Sequence, residues 1–268
     1  MVKAGFIGGG AMAEAMVKGL LAKDVLEGDA IYVSDHKSGR CQELKEKYGI
    51  HAEVGADNFV GLLDYVFMAV KPNAMEQAAA EIRELLGVET VVISLAAGYN
   101  LAKLADLFPH NPVVRVMPNT PLAVGEGMSA LAFDAKISAA DKETVLGFFE
   151  AAGKAVVVSE ALFDAVTGLS GSGPAFVFLM IDAMSDAGVL AGLKRSDAKM
   201  LAAQTVLGAA KMVLESGLHP MELRDQVTSP AGTTIEGVRV MEEKGVRGAL
   251  IDTVMAAVKK SQEMGKTK

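Results

Sequence analysis

Tryptophan is absent from the 268 residues, aromatic side chains make up only 5%, and there is a single cysteine, Cys41. One thiol excludes an intramolecular disulfide framework and a multi-cysteine metal site. Its setting, in a polar helical stretch, suits a structural or surface thiol. Basic charge is in deficit. With 26 Lys and Arg against 33 Asp and Glu, the formal net charge is −7, which argues against a nucleic-acid partner. No apolar run reaches the roughly 18 residues that cross a bilayer, and the N-terminal apolar run breaks at glycines where a secretory signal would continue. These absences lead to the expectation of a cytoplasmic protein with neither a membrane nor a nucleic acid as partner. What is present is 51% hydrophobic residues, enough to fill one large or two ordinary domains.

The stretch over residues 3–23 organises the rest. A short apolar run ends at Gly8-Gly9-Gly10 and the chain turns helical near Ala11. Against the dinucleotide fingerprint G-x-G-x-x-G/A, the matches are Gly8, Gly10 and Ala13. Gly8 permits the tight strand-to-helix turn, Gly10 lets backbone approach a pyrophosphate, and Ala13 lets helix lie close on strand. The first turn, with Ala11 and Met12, aims unpaired N–H groups and a positive dipole end at that pyrophosphate.

Further strand and helix patterns alternate, as in a parallel α/β sheet. Residues 30–34 read as a strand ending at Ser34, followed by Asp35, His36 and Lys37 and a helix over 38–47. An acid here accepts the adenosine ribose hydroxyls of NAD, and basic neighbours accept the 2′-phosphate of NADP. Asp35 points to the first, and His36, Lys37 and Arg40 to the second, so NADP is favoured and NAD stays open as a second coenzyme. Asn58 either reaches the adenosine half or caps a helix. Residues 65–70 form a doubly buried strand ending at Ala69, Val70, Lys71 and Pro72, where a crevice for the cofactor is expected. A helix over 76–86, a strand over 90–94, a helix over 101–108 and a strand over 112–116 follow. The rigid loop Met117-Pro118-Asn119-Thr120-Pro121 then places Asn119 where a nicotinamide ring would lie. Strands over 128–133 and 155–158, around a helix over 139–152, complete the unit.

From residue 162 onward helical signals dominate. Pro174 opens a helix running to about 191, Ser196 caps a second ending at Gly217, and others cover 220–227, 232–244 and 247–264. Residues 175–181 are apolar all round for two turns, and eight of the 15 methionines fall in this half. So much apolar helix needs a partner, and an intertwined homodimer is expected. The fold class is therefore α/β: a Rossmann-type NAD(P)-binding domain over residues 1–160, then an all-α dimerisation and substrate-binding domain over 161–268.

One polar cluster in the helical half suits a small carboxylate. Around Ser229, Gly232, Thr233 and Thr234, backbone N–H groups and hydroxyls meet a helix start, though a capped turn between helices reads equally well. Residues 167–193 carry no Lys, His or Arg, so the general base of an alcohol dehydrogenase is missing. Asp182 and Asp186 lie one turn apart and read as a polar stripe, and the four histidines are scattered, so no metal site is expected. Reduction of a C=N bond fits best, because a protonated imine is already electrophilic and needs mainly orientation.

Five stretches carry a resemblance to the pyrroline-5-carboxylate reductase family, and it runs nearly end to end. They are Gly5-Phe-Ile-Gly-Gly-Gly-Ala-Met12, Ala69-Val-Lys-Pro72, Arg115-Val-Met-Pro-Asn-Thr-Pro121, Thr167-Gly-Leu-Ser-Gly-Ser-Gly-Pro-Ala175 and, most specifically, Leu223-Arg-Asp-Gln-Val-Thr-Ser-Pro-Ala-Gly-Thr-Thr-Ile235. The resemblance implies NAD(P)H-dependent reduction of 1-pyrroline-5-carboxylate to L-proline, the last step of proline biosynthesis. It implies that Ser229, Gly232, Thr233 and Thr234 hold the substrate carboxylate, with the Thr234 hydroxyl near the ring nitrogen as the catalytic group. The cofactor candidates are Gly8, Gly9, Gly10, Ala11, Met12, Ser34, Asp35, His36, Lys37, Asn58, Ala69, Val70, Lys71, Pro72 and Asn119. It also implies NADPH as the usual coenzyme and a dimer that can assemble further into a decamer of five dimers. Asp35 departs from the small or basic residue that an NADP-preferring member carries.

Overall fold

The computed structural model describes residues 2–266. Eight short strands form one sheet: β1 (Ala4–Ile7), β2 (Ile31–Ser34), β3 (His51–Glu53), β4 (Tyr65–Met68), β5 (Val91–Ser94), β6 (Val113–Met117), β7 (Gly127–Phe133) and β8 (Gly153–Val157). Their order is β3-β2-β1-β4-β5-β6-β7-β8. All neighbours are parallel except β6 and β7, which run antiparallel. β1 and β4 are apolar along their whole length and fully buried, as a strand covered on both faces must be. Alternation then sends Phe6 and Phe67 to one face and Ile7, Val66 and Met68 to the other, so each face has its own core. The rings of Phe6 and Phe67 stack at 4.4 Å.

Five helices serve this sheet: α1 (Ala11–Ala22), α2 (Ser38–Tyr48), α3 (Met75–Ile82), α4 (Leu101–Leu107) and α5 (Ala139–Glu150). The chain goes from β1 to β2 on one side and returns past it to β4 on the other. The strand order therefore reverses at β1, and the carboxyl ends of β1, β2 and β4 open onto the crevice such sheets use for ligands. The edge strand β3 escapes the sequence pattern because it is three residues long and half exposed. α3 stops at Ile82, four residues before the expected 86.

The rest is helical. α6 (Phe163–Val166) leads through a π-helical turn (Thr167–Gly171) into α7 (Gly173–Leu190), followed by α8 (Arg195–Ser216), α9 (Pro220–Gln226), α10 (Thr233–Glu243) and α11 (Val246–Lys266). Pro174 stands in the first turn of α7 as expected. Ser196 does not cap α8; Lys194 holds that position, and the Ser196 hydroxyl turns to Asp197. Two compact units result: one reaches Gly171 and takes back the chain from Val258, and the other is Ser172–Ala257.

The sequence reading of apolar runs needs one correction. The π turn splices residues Glu160–Leu190 into one helical run, which is long and apolar enough, by length and composition alone, to cross a membrane. The run looks broken in sequence because Ser and Gly interrupt it over 168–173, but all of these residues except Ser172, the bend that caps α7, are accommodated in the π turn or the helix.

Candidate functional site

The glycine turn sits between β1 and α1, and each of its glycines answers a different demand. Gly8 has φ +102°, and a Cβ there would lie 2.9 Å from the Ala69 carbonyl oxygen. It is required both by conformation and by close approach. Its N–H donates to the Ser34 carbonyl at 2.7 Å, and the Ala69 N–H donates to Ile7 at 2.9 Å. Ser34, Gly8 and Ala69 are thereby brought side by side at the carboxyl ends of β2, β1 and β4. Gly9 is hemmed in by Leu44 and Val33, whereas a Cβ on Gly10 would meet nothing within 4 Å. No neighbouring residue needs Gly10 to be bare, so the open space in front of it fits a ligand that approaches the backbone.

Gly10 caps α1 without a side-chain bond, so the first-turn N–H groups of Ala11 and Met12 have no intrahelical acceptor. Ala13 is buried against the sheet, as the fingerprint demands. The donors and the positive end of the helix dipole face the crevice, the arrangement a pyrophosphate requires.

Around this turn lies a charged cluster that sequence inspection missed. Asp35 accepts the Gly9 N–H at 2.9 Å with one oxygen and the Lys37 N–H at 3.0 Å with the other. Arg40 Nε donates to the Gly9 carbonyl at 2.7 Å, and its other nitrogens reach Glu14 and, at 2.8 Å, Glu43. Glu14 also accepts from Lys47 Nζ at 2.8 Å and from the Tyr48 hydroxyl at 2.9 Å. The donors Lys47, Arg40 and Tyr48 hold its carboxyl down at about 2, well below the ordinary 4.5. Nothing in the sequence pairs Glu14 with residues 26 to 34 positions later; only the packing of α1 on α2 does.

The remaining candidates fall as follows. His36 is 83% exposed and lies 3.3 Å from Asp35, and Lys37 is exposed beside it. Asn58 is exposed in a turn and caps nothing, since Phe59 holds that position in the following 3₁₀ turn. Val70 and Pro72 are half-buried and Lys71 exposed, on the segment that leaves β4. Cys41 is buried, and its Sγ donates to the Asp35 carbonyl at 3.5 Å. After β6, Asn119 accepts the Met128 N–H at 2.8 Å and donates to the Ser170 carbonyl at 3.2 Å. A Cβ on Gly171 would lie 2.6 Å from the Met117 methyl, so loop 117–121 is seated against the π turn.

In the Ser172–Ala257 unit, the chain turns at Ser229 to Gly232. The Gly232 N–H donates to the Ser229 carbonyl at 3.1 Å, and Ala231 has φ +57°, one of two described non-glycine residues in the left-handed region. A Cβ on Gly232 would lie 2.3 Å from the Ser229 hydroxyl. Gly232 caps α10 without a side-chain bond, leaving the N–H groups of Thr233 and Thr234 at the helix start without an intrahelical acceptor. Thr233 is exposed and Thr234 half-buried. Asp186 pairs with Arg195 at 2.6 Å, which accounts for that acid as part of the α7–α8 packing. Among the described residues no three His, Cys, Asp or Glu side chains converge to hold a metal.

Comparisons with known proteins cover the whole chain. Residues 160–264 match the family model for pyrroline-5-carboxylate reductase dimerisation, and residues 3–98 match that for coenzyme F420-dependent NADP oxidoreductases. The chain is 44% identical to the pyrroline-5-carboxylate reductase of Methanosarcina acetivorans, with 98% of each chain covered. A pyrroline-5-carboxylate reductase structure from Coxiella burnetii superposes with a TM-score of 0.93 at 34% identity, again covering 98% of both. The Plasmodium falciparum pyrroline carboxylate reductase, solved with NADP bound, superposes at 0.85 and 30% identity over 98% of both.

Proposed function

The chain belongs to the pyrroline-5-carboxylate reductase family, and we infer from this that it reduces 1-pyrroline-5-carboxylate to L-proline with NADPH, as the last step of proline biosynthesis. What carries the reading is the end-to-end match, which takes in both the glycine turn and the loop before α10. The enzyme is an NADP-linked oxidoreductase acting on a C=N bond.

Gly8, Gly9, Gly10, Ala11 and Met12 form the pyrophosphate cradle, with Ser34, His36 and Lys37 beside the adenosine ribose and Asn58 beyond them. Ala69, Val70, Lys71 and Pro72 line the crevice from β4, and Asn119 stands on the loop after β6. When bound there, the reduced nicotinamide supplies a hydride. Ser229, Gly232, Thr233 and Thr234 receive the substrate carboxylate, because the N–H groups of Thr233 and Thr234, free at a helix start, hold an anion without a side-chain cation, while Gly232 keeps its own N–H on the Ser229 carbonyl and shapes the turn. The Thr234 hydroxyl bonds the ring nitrogen. A hydroxyl is too weak an acid to protonate an imine, so Thr234 orients the ring while the proton comes from solvent or is already on the substrate.

The working protein is a homo-oligomer, with residues 161–268 as its dimerisation and substrate-binding domain and residues 1–160 as its NAD(P)-binding domain. Five such dimers make a decamer. The enzyme acts in the cytoplasm, on a small-molecule substrate, without a membrane, nucleic acid or metal. The apolar run over Glu160–Leu190 belongs to the dimer interface. NADH serves as a second, weaker coenzyme. The test is coenzyme oxidation followed by nicotinamide absorbance. Pyrroline-5-carboxylate should be reduced and a panel of 2-keto acids should not; turnover of the keto acids alone would overturn the reading.

A further inference from the structure

Arg40 invites assignment to the 2′-phosphate of NADPH, since it follows His36 and Lys37 on the β2–α2 segment. Its contacts argue otherwise. Nε is bonded to the Gly9 carbonyl at 2.7 Å, and the two terminal nitrogens face Glu14 and Glu43. The side chain is only 20% exposed. A guanidinium flanked by two carboxylates has its charge already matched, and its fork is occupied in three directions. Lys37 and His36 lie open to solvent, His36 touching Asp35 at 3.3 Å.

The bond to Gly9 has a mechanical consequence. A trans peptide is planar, so its C=O and N–H point in opposite directions. Holding the Gly9 carbonyl toward α2 therefore turns the Gly10 N–H away from α2. The preceding peptide is held as well, because the Gly9 N–H is bonded to Asp35 at 2.9 Å. Gly9 is thus gripped on both sides by residues of one segment, and a residue without a Cβ has the widest choice of conformations to be restrained from. Glu14 completes the device. From the first turn of α1 it reaches Arg40, Lys47 and Tyr48, tying α2 to the helix whose N-terminus the turn feeds.

We infer that Arg40 is a positioning residue for the pyrophosphate turn, acting with Asp35 through Gly9, and that it does not bind the 2′-phosphate. The inference rests on the dinucleotide reading of the Gly8–Gly10 turn. It also gives Asp35 a role compatible with NADPH: both of its oxygens accept backbone N–H groups of its own surroundings.

The experiment measures binding of NADPH and NADH by fluorescence, and inhibition by 2′-AMP, which carries the 2′-phosphate but no pyrophosphate. Arg40→Gln should weaken both coenzymes by about tenfold and by the same factor within twofold, since both carry the pyrophosphate. The 2′-AMP inhibition constant should stay within twofold of wild type. The KM for coenzyme should rise more than kcat falls. Arg40→Lys, which keeps the charge but reaches fewer acceptors, should lie between and serves if the Gln variant does not fold. Glu14→Gln should shift both coenzymes in the same direction by less. A selective loss of NADPH, a parallel loss of 2′-AMP, or no change in either coenzyme would each overturn the assignment. Failure of wild-type enzyme to turn over pyrroline-5-carboxylate would instead count against the proposed reaction, because the binding measurements need no turnover.

Discussion

The two compact units of this chain handle apolar surface in opposite ways. The sheet unit buries Phe6, Phe67, Phe108, Phe148 and Phe149 almost completely, in two cores on either face of one sheet. In the Ser172–Ala257 unit, only Ser185, Ala198, Ala202 and Leu223 are buried among the described residues. Phe178, Leu179 and Leu190 remain 63%, 71% and 91% exposed. At roughly 25 cal/mol per Å² of apolar surface, a unit that buries this little cannot offset the entropy of ordering its helices. The first unit is a finished domain, and the second is half of one. A second copy of the same chain supplies the missing half, in keeping with the dimerisation family model over residues 160–264.

Paired substitutions test that contrast most severely. Leu179→Asp on α7 should abolish the dimer, because an unpaired charge in an apolar interface costs several kcal/mol, weakening association by at least about 100-fold. Val88→Asp, at a site 67% exposed in the sheet unit, should leave assembly and melting temperature nearly unchanged. Light scattering on both variants decides it; a Leu179→Asp protein that stays dimeric would take Leu179 out of the interface, and a stable, active monomer at nanomolar concentration would show that the helical unit stands alone.

A smaller effect belongs to the start of α10. Losing one hydrogen bond that orients the imine in a closed site should cost about 2–4 kcal/mol, or roughly 30- to 1000-fold in kcat/KM. Thr234→Ala should show this with NADPH affinity and the dimer intact, and Thr234→Ser should keep most activity. An Ala variant within threefold of wild type leaves Thr234 as a helix-start residue only.

The smallest effect falls on the sheet unit. Lys37→Ala removes an exposed cation, and a partly solvated bond to phosphate is worth about 1–2 kcal/mol. The KM for NADPH should rise about five- to thirtyfold while that for NADH barely moves. Equal changes would remove Lys37 from the phosphate site. Set beside the equal weakening expected of Arg40→Gln, the pair separates a residue that reads the 2′ position from one that shapes the turn.

Much of this architecture is legible in local patterns. The Gly8–Gly10 turn, the continuous apolar strands β1 and β4, Pro174 in the first turn of α7 and Gly232 ahead of α10 each follow from rules that span a few residues. The misses are equally physical. β3 is too short for alternation to register. Ser196 looks like a cap, but α8 begins one residue earlier, at Arg195, with Lys194 in the cap position. The π turn over Thr167–Gly171 hides in a Gly- and Ser-rich stretch that reads as a break.

By itself, then, the sequence determined the dinucleotide turn, the alternation that builds a parallel sheet, the excess of apolar helix that calls for a second chain, and the family. These depend on residue type at short spacing, where backbone sterics and burial act directly. Tertiary structure alone decided what the charged residues near the turn do. Asp35 and Arg40 read as coenzyme ligands in one dimension, and become the two grips on Gly9 only when α2 lies against α1 and Glu14 meets Arg40, Lys47 and Tyr48. Charge–charge and hydrogen-bond partners are chosen by distance in space, and no short-range spacing rule along the chain gives that distance until the helices are packed.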